Sequence, residues 1–193
     1  MRPLTAVVLA VVSALAVTGC SAGKDAVANG TEFVFVSPGG KVDISYDGAD
    51  RREAPELAGD SLLEPGTRLS TRDFAGRVIV VNLWGSWCPP CRTEAPELQK
   101  VQDQAGEQVK VIGIDLRDED RSAPQDFLRD RGLDYPSIYD PPGRTLLALK
   151  GYPRATVPST IVLDRQHRVA AVFLRELLAT DLLPVVQRLA SES

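Results

Sequence analysis

This sequence has few histidines and cysteines, and it has no excess of positive charge. The chain has 193 residues, one histidine (His167) and three cysteines. A single histidine excludes a site with several histidine ligands, and three cysteines are too few for a disulfide-rich scaffold. The 22 Lys and Arg against 26 Asp and Glu give a formal net charge of −4, which argues against nucleic acid as a partner. With 44% hydrophobic and 25% charged residues, the composition is that of a globular domain and not of a disordered, collagen-like or multi-span membrane protein.

The amino-terminal segment has the pattern of an export signal. Arg2 precedes an uncharged apolar run over residues 4–17, which suits a signal peptide and is short for a membrane span. The run ends in Val-Thr-Gly-Cys at residues 17–20, which resembles a bacterial lipoprotein cleavage box. The resemblance implies cleavage before Cys20, lipidation of its sulfur and anchoring at the outer face of the cytoplasmic membrane. An ordinary secretory signal with a chance cysteine is the alternative.

The chain after the signal divides into a tether, an extension and a domain. Residues 21–30 are small and polar, which is typical of a flexible linker and predicts a tether. Two alternating segments between Glu32 and Tyr46 flank Pro38-Gly39-Gly40 and predict a β-hairpin. Residues 47–66 are rich in charge, Gly and Pro and predict a loop. The predicted divisions are a lipoprotein signal peptide (1–19), a lipid-anchored tether (20–31), a hairpin extension (32–54) and the main domain (55–193).

Strand-length apolar runs alternate with helical segments in the main domain. This order predicts an α/β sandwich with a mixed sheet. Ser122 is the expected N-cap of the second helix. The predicted strands are 78–83, 109–115, 159–163 and 169–173. The predicted helices are 89–105, 121–131 and 179–190, with a short extended segment at 135–139 and a short helix at 142–149.

The most informative segment is a C-x-x-C pair that follows the first apolar strand. Cys88 and Cys91 are separated by Pro89 and Pro90, and both prolines suit the first turn of a helix. A helix N-terminus stabilises a thiolate on the first cysteine through free N–H groups and the helix dipole. We therefore expect Cys88 to be the exposed attacking thiol. Cys91 is then the shielded thiol that resolves a mixed disulfide, and no other cofactor is needed.

Other motifs around this pair give a family resemblance. Trp-Cys-Pro-Pro-Cys spans residues 87–91, Pro96 lies five residues beyond the second cysteine, and Thr-Val-Pro-Ser-Thr spans residues 156–160. With these motifs the sequence resembles the thioredoxin fold over roughly residues 55–190. Within that fold it resembles the membrane-anchored branch, the TlpA/ResA/CcmG-like thiol–disulfide oxidoreductases. The resemblance implies a three-layer α/β/α sandwich, in which Pro96 kinks the active-site helix.

The same resemblance assigns roles to individual residues. Pro158 is expected to be cis, which would set the Val157 backbone beside the disulfide to pair with an extended substrate. Asn82 and Glu94 are expected to lie near the cysteines and tune them, since a carboxylate disfavours a nearby thiolate and can carry protons. Trp87 is expected to cover one side of the cysteine pair. The residues assigned to substrate binding are Trp87, Pro89, Pro90 and Val157.

The resemblance implies thiol–disulfide exchange with proteins, and its direction stays open. Our first hypothesis is a reductase of apocytochrome c disulfides during cytochrome c biogenesis, supplied with electrons by a membrane carrier of the CcdA/DsbD type. The alternative is a DsbE-like oxidase that introduces disulfides into exported proteins. We expect a monomer, anchored to the membrane by lipid.

Several other classes fit the sequence poorly. A zinc site would need a second pair of ligands beside Cys88 and Cys91, and C-x-x-C-H haem attachment fails because residue 92 is Arg. A purely structural disulfide of this spacing closes too short a loop to be a useful staple. A peroxiredoxin-type peroxidase would require P-x-x-x-[ST]-x-x-C, and Val81 to Gly85 lack that pattern.

Overall fold

One eight-stranded mixed sheet forms the centre of the protein. The computed structural model describes residues 30–192. The strands are β1 Asp43–Ser45, β2 Ala58–Ser61, β3 Arg68–Ser70, β4 Val78–Trp84, β5 Val109–Asp115, β6 Ser137–Tyr139, β7 Ser159–Leu163 and β8 Val169–Phe173. Their order in the sheet is β1-β8-β7-β4-β5-β6-β2-β3. The strands β4, β5 and β6 are parallel to one another, and the remaining neighbours are antiparallel.

Alternation along β4 separates two hydrophobic cores. Val78, Val80 and Trp84 point to one face of the sheet, where they pack with the helices. Ile79 and its alternate neighbours point to the other face. Asn82 has the same parity as Val80, so it belongs to the helical face. The helices are α1 Pro89–Ala105, α2 Ser122–Asp130 and α3 Ala179–Ser191, and the buried apolar residues of all three join this first core.

The second core is covered mainly by irregular chain. Phe33 and Phe35 from the amino-terminal extension, together with Leu146 from the 3₁₀ helix Thr145–Ala148, pack against this face of the sheet. The expected three-layer sandwich with a mixed central sheet is therefore present. One outer layer consists of α-helices, and the other of a short 3₁₀ helix and extended segments.

The hairpin predicted within residues 32–54 is replaced by pairing with other parts of the protein. Phe33 N donates to Glu53 O at 3.0 Å, and Phe35 N donates to Lys150 O at 2.9 Å. The second half forms β1, which pairs with β8 and not with the first half. The cause is burial: Phe33, Phe35 and Ile44 enter the second core, and a free two-stranded hairpin would leave them exposed to water.

Two local predictions are also corrected. The predicted loop over residues 47–66 contains β2, whose Ala-Gly-Asp-Ser sequence has little strand propensity but pairs with β3 and β6. Ser122 is the first residue of α2 and not its cap, because the preceding Asp120 carboxylate accepts from both Ser122 N and Ser122 Oγ. The other long elements begin and end within one residue of their predicted limits.

A buried group of ion pairs joins the amino-terminal extension to the rest of the domain. The Arg51 guanidinium bonds to Asp164 at 3.2 Å and also reaches Glu192 just beyond α3. Arg51 and Asp164 are both buried, and Arg168 supplies Asp164 with a second guanidinium. Burial raises the pKa of the Asp164 carboxyl, but hydrogen bonds from the Arg168 backbone N–H and from the Arg168 and Arg51 guanidiniums outweigh it and hold this pKa below its ordinary value. The extension is therefore an integral part of the folded domain.

The predicted signal peptide, Cys20 and nearly all of the predicted tether lie outside the described residues. Over residues 30–192, no helix is long and apolar enough to cross a membrane.

Candidate active site

The two cysteines lie where β4 leads into α1, as predicted. Cys88 is the N-cap of α1, and Pro89 and Pro90 occupy its first positions. Cys88 and Cys91 form a disulfide with their Cα atoms 5.3 Å apart. Cys91 N lies 3.3 Å from Cys88 Sγ and points its hydrogen at that sulfur. A thiolate on Cys88 would therefore gain a backbone hydrogen bond and the favourable end of the helix dipole.

Exposure does not separate the two cysteines in this oxidised form. Cys88 is only 2% exposed and Cys91 1% exposed. The expectation that Cys88 is openly exposed is therefore wrong for the disulfide state, because α1 packs both residues into the first core. Their position on the helix still distinguishes them. Cys88 is at the helix terminus, and Cys91 is one turn inside.

A buried carboxyl lies one turn beyond Cys91 on the same helix. Glu94 is 1% exposed, and its oxygens accept from Asn82 Nδ2 and from Leu177 N, each at 2.9 Å. Burial is the largest influence on this group and raises the pKa of Glu94 to about 8, against the lowering effect of both hydrogen bonds. Glu94 can therefore bind or release a proton near neutral pH.

Asn82 links this carboxyl to the strand that follows Pro158. Besides Glu94, Asn82 Nδ2 contacts Thr160 Oγ1 at 3.1 Å as a hydrogen-bond donor. Asn82 and Thr160 are paired positions of β4 and β7. The amide thus fixes Glu94 relative to two strands, and both of its hydrogen bonds are to side chains.

The segment before β7 meets the same end of the sheet. Because β7 is antiparallel to β4, its first residue, Ser159, pairs with Leu83 near the end of β4. The Val157–Pro158 peptide is cis, as the motif implied. This register brings Val157 and Pro158 to the edge from which Cys88 emerges. Pro96 lies inside α1, also as expected.

Trp87 is held beside the cysteines by contacts on the β5 side. Its indole is 44% exposed, and Nε1 donates to Leu116 O at 2.8 Å. Gly85 makes room for this arrangement, because a Cβ there would collide with Trp87 Nε1 and come within 2.8 Å of Leu116 O. The Arg117 guanidinium stacks over the indole at 4.5 Å. These contacts are with residues that follow β5 and not with the disulfide. That Trp87 covers one side of the cysteine pair therefore stays a prediction.

Sequence reasoning missed two acidic residues, Asp115 at the end of β5 and Asp118 just beyond it. Asp118 accepts from Ser86 N at 2.7 Å and from Ser86 Oγ at 2.6 Å, which fixes the loop two residues before Cys88. Asp115 is fully buried, and its oxygens have no hydrogen-bond partner among the described residues. Burial, with the nearby Asp118, raises the pKa of Asp115 to about 9. The one available signal was the position of Asp115 and Asp118 at the end of a parallel strand, where sites often form.

The site has what dithiol chemistry needs and little that would bind a metal. Within residues 30–192, no group of three or more His, Cys, Asp and Glu side chains is arranged to hold a metal ion. The cysteine pair at the helix terminus, the buried Glu94 and the cis-proline segment together define a thioredoxin-like thiol–disulfide oxidoreductase.

Comparison with known proteins identifies the family. The Redoxin family profile matches residues 49–184, and the chain belongs to this family. It is 34% identical to the thiol:disulfide interchange protein DsbE of Pseudomonas aeruginosa over 137 residues, which cover 68% of this chain and 72% of that protein. It is 29% identical to the thiol-disulfide oxidoreductase ResA of Bacillus thuringiensis over 119 residues, which cover 61% and 65% of the two chains.

Two solved structures from Corynebacterium are similar over most of the chain. A secreted thiol-disulfide isomerase of Corynebacterium glutamicum has 49% identity and a TM-score of 0.81, covering 83% of this chain and 98% of that one. A DsbF homologue of Corynebacterium diphtheriae has 47% identity and a TM-score of 0.78, covering 82% and 99%. The thioredoxin-like fold and the thiol–disulfide oxidoreductase activity expected from the sequence are thereby confirmed.

Proposed function

We propose that this protein reduces disulfides in polypeptides outside the cytoplasm, with apocytochrome c as the substrate during cytochrome c biogenesis. The main support for reduction of the substrate, and not its oxidation, is the buried carboxyl of Glu94 one turn beyond Cys91. Glu94 lies one turn from Cys91, and in its ionised form it disfavours a thiolate on the neighbouring cysteines. A less stable dithiolate makes the disulfide form relatively more stable. Such a pair gives up its electrons readily, as a reductant must.

The reaction proceeds through one mixed disulfide. The Cys88 thiolate attacks one sulfur of the substrate disulfide, and the other substrate sulfur leaves as a thiolate and takes up a proton. Cys91 loses its proton to the ionised Glu94 carboxylate and attacks Cys88 Sγ, which releases the second substrate cysteine as a thiolate that takes up the second proton. The substrate gains two electrons and two protons, and the protein keeps the Cys88–Cys91 disulfide. A membrane electron carrier of the CcdA/DsbD type then reduces this disulfide.

The rest of the site has positioning and binding roles in this proposal. Asn82 orients Glu94 through the 2.9 Å hydrogen bond. The Val157 backbone, beside Pro158, pairs with an extended substrate segment. Trp87, Pro89 and Pro90 form the surface around the cysteines that the substrate covers.

The export signal and the relatives support the proposed location. Lipidation at Cys20 would anchor the domain at the outer face of the cytoplasmic membrane, with residues 20–31 as the tether. The Corynebacterium glutamicum relative is described as secreted, which supports an extracytoplasmic site of action. We propose that the domain acts as a monomer.

The reduction potential of the Cys88–Cys91 pair is the direct test. The soluble domain would be equilibrated against glutathione or dithiothreitol. A value at or below about −220 mV supports the reductase, since thioredoxin lies near about −270 mV. In cells, Cys88→Ser should abolish c-type cytochromes, and added reductant should restore them. Normal cytochrome levels in that strain would exclude the role in cytochrome c biogenesis.

A second candidate is an oxidase or isomerase of exported proteins. The observation in its favour is the identity of 47–49% to the two Corynebacterium proteins, described as a thiol-disulfide isomerase and a DsbF homologue. A potential above about −160 mV, nearer the value of about −120 mV for DsbA, would select this candidate. A peroxidase is a weaker alternative, and a peroxide-consumption assay would test it.

A further inference from the structure

Arg117 has an unusual backbone conformation beside the active site. Its φ is 61°, in the left-handed region that residues with a side chain rarely adopt. The Arg117 N–H donates to Pro141 O at 3.1 Å, which holds the turn after β5 in place. Glycine would adopt this conformation without strain, so the presence of arginine points to a role for the side chain.

The Arg117 side chain joins the two segments that flank the disulfide. Its guanidinium lies over the Trp87 indole at 4.5 Å, directly before Cys88 in the chain. Its Nη2 donates to Ala155 O at 3.1 Å, in the segment that leads to Val157 and Pro158. One exposed guanidinium thus links the Trp87 loop to the substrate-pairing segment.

A groove runs alongside this link. Its lining residues include Leu116, Pro141, Pro142 and Tyr152, together with the two arginines Arg117 and Arg154. No carboxylate lines it. Among the described residues, neither arginine forms an ion pair. In a chain of net charge −4, these two arginines give the groove a local positive charge beside its apolar side chains.

We propose that this groove binds an acidic segment of the polypeptide substrate, next to the cysteine that reacts with Cys88. Arg117 and Arg154 are the specificity-determining residues, and Arg117 is in addition a positioning residue for Trp87. The inference rests on the proposed exchange with polypeptides and adds the charge of the substrate. Two guanidiniums that form no ion pair, beside apolar side chains, are complementary to a short segment that carries aspartate or glutamate.

The test compares two peptide disulfides of equal length that differ only in having Glu or Gln beside one cysteine. The reduced protein should turn over the Glu peptide with a higher kcat/KM. Each exposed guanidinium should contribute up to about fivefold to that preference, and raised salt should weaken it. Arg154→Gln should lower the preference by that amount. The rate at which dithiothreitol, which is uncharged, reduces the Cys88–Cys91 disulfide is measured for each variant as the reference for the reactivity of the pair.

Matched variants separate the groove from a general effect of charge. Arg131→Gln removes one positive charge from the groove on the other side of Trp87 and should keep the preference. Arg117→Lys keeps the charge but loses the planar group that spans Trp87 and Ala155. It should raise KM for both peptides and change Trp87 fluorescence, without moving the reduction potential.

Three results would overturn the inference. These are equal kcat/KM values for the two peptides, an equal loss of preference in Arg131→Gln and Arg154→Gln, and an Arg117→Lys variant with unchanged KM. Because exchange with dithiothreitol is measured in the same samples, failure of the inference is distinct from failure of the proposed function. The proposed function fails if the cysteine pair shows no reversible redox couple.

Discussion

The side-chain amide of Asn82 donates to the Glu94 carboxyl at 2.9 Å, which joins β4 to α1 beside the cysteine pair. The carboxyl has a second donor in Leu177 N, and water has little access to it. An ionisable group in this position is protonated at lower pH and charged at higher pH, with the change centred at about 8. The active site therefore contains a proton acceptor whose state changes close to physiological pH.

Glu94→Gln should remove one ionisation from the pH profile of disulfide exchange. The wild-type rate should rise with pH through about 8, as Glu94 becomes able to accept the Cys91 proton. In the variant we expect the rate at pH 8 to fall by about tenfold or more, because general base catalysis commonly contributes factors of that size. The pH dependence of kcat/KM with a peptide disulfide is the measurement.

Glu107→Gln is the matched control for that experiment. Glu107 is exposed in the short helix after α1, so its replacement removes the same charge without touching the site. Its profile should match that of the wild type. An unchanged profile in Glu94→Gln would show that Glu94 has only a structural role.

Asp115→Asn should flatten the dependence of stability on pH. The native pKa of Asp115 is raised to about 9 from an ordinary value near 3.8, so the folded state holds a proton that the unfolded state has lost. Stability from this group is complete below pH 4 and is lost as pH rises towards 9. The variant should reduce the loss between pH 5 and pH 8 by about 1–3 kcal/mol, measured by denaturant unfolding.

Asp126→Asn provides the comparison for Asp115. Asp126 is an exposed residue of α2 and pairs with Arg129, so its removal should change stability by less than about 1 kcal/mol at either pH. If Asp115→Asn and Asp126→Asn have the same pH dependence, the Asp115 carboxyl does not hold a proton in the native state.

Cys91→Ser should accumulate a mixed disulfide with substrate, whereas Cys88→Ser should not. The reason is the proposed order of steps, in which Cys88 forms the bond to substrate and Cys91 breaks it. Non-reducing electrophoresis and intact mass would detect the adduct, and dithiothreitol should release it. An adduct that forms only in Cys88→Ser would reverse the assignment of the attacking cysteine.

Gly85→Ala should displace Trp87 and destabilise the protein. The added methyl group meets the indole nitrogen and the Leu116 carbonyl, so either the hydrogen bond between them breaks or the backbone shifts. We expect a loss of about 1–3 kcal/mol and a change in tryptophan emission. Gly48→Ala is the control, because a Cβ at Gly48 meets nothing within 4 Å. Equal effects of the two substitutions would contradict the tight packing at Gly85.

Much of this site could be predicted because its chemistry is local in the sequence. The cysteine pair follows a continuous apolar strand, and Pro158 precedes another, so their placement needs only the pairing of β4 with β7. The burial of Glu94 depends on Leu177, 83 residues away, which no local pattern reveals. Arg117 was missed for a similar reason, because its contacts come from three separate segments.

The errors in the fold prediction have a common physical cause. Alternating apolar residues on either side of Pro38-Gly39-Gly40 satisfy the local rule for a hairpin, yet the sheet offers Ile44 and the two phenylalanines a larger buried surface. β2 is the opposite case, a weak strand sequence ordered by its neighbours β3 and β6. In both segments, contacts with distant parts of the chain, and not the local sequence, determine the structure.

The pairing of β1 with β8 has a consequence for how the sheet meets other chains. Without β1, the backbone groups along one side of β8 would be free to bind any extended polypeptide. The protein covers that side with its own three-residue strand, and its other border, β3, is equally short. If the protein acts on extended polypeptides as proposed above, these short border strands offer such substrates little backbone along the flanks of the sheet, and the segment beside Pro158 is left as the place for backbone contact.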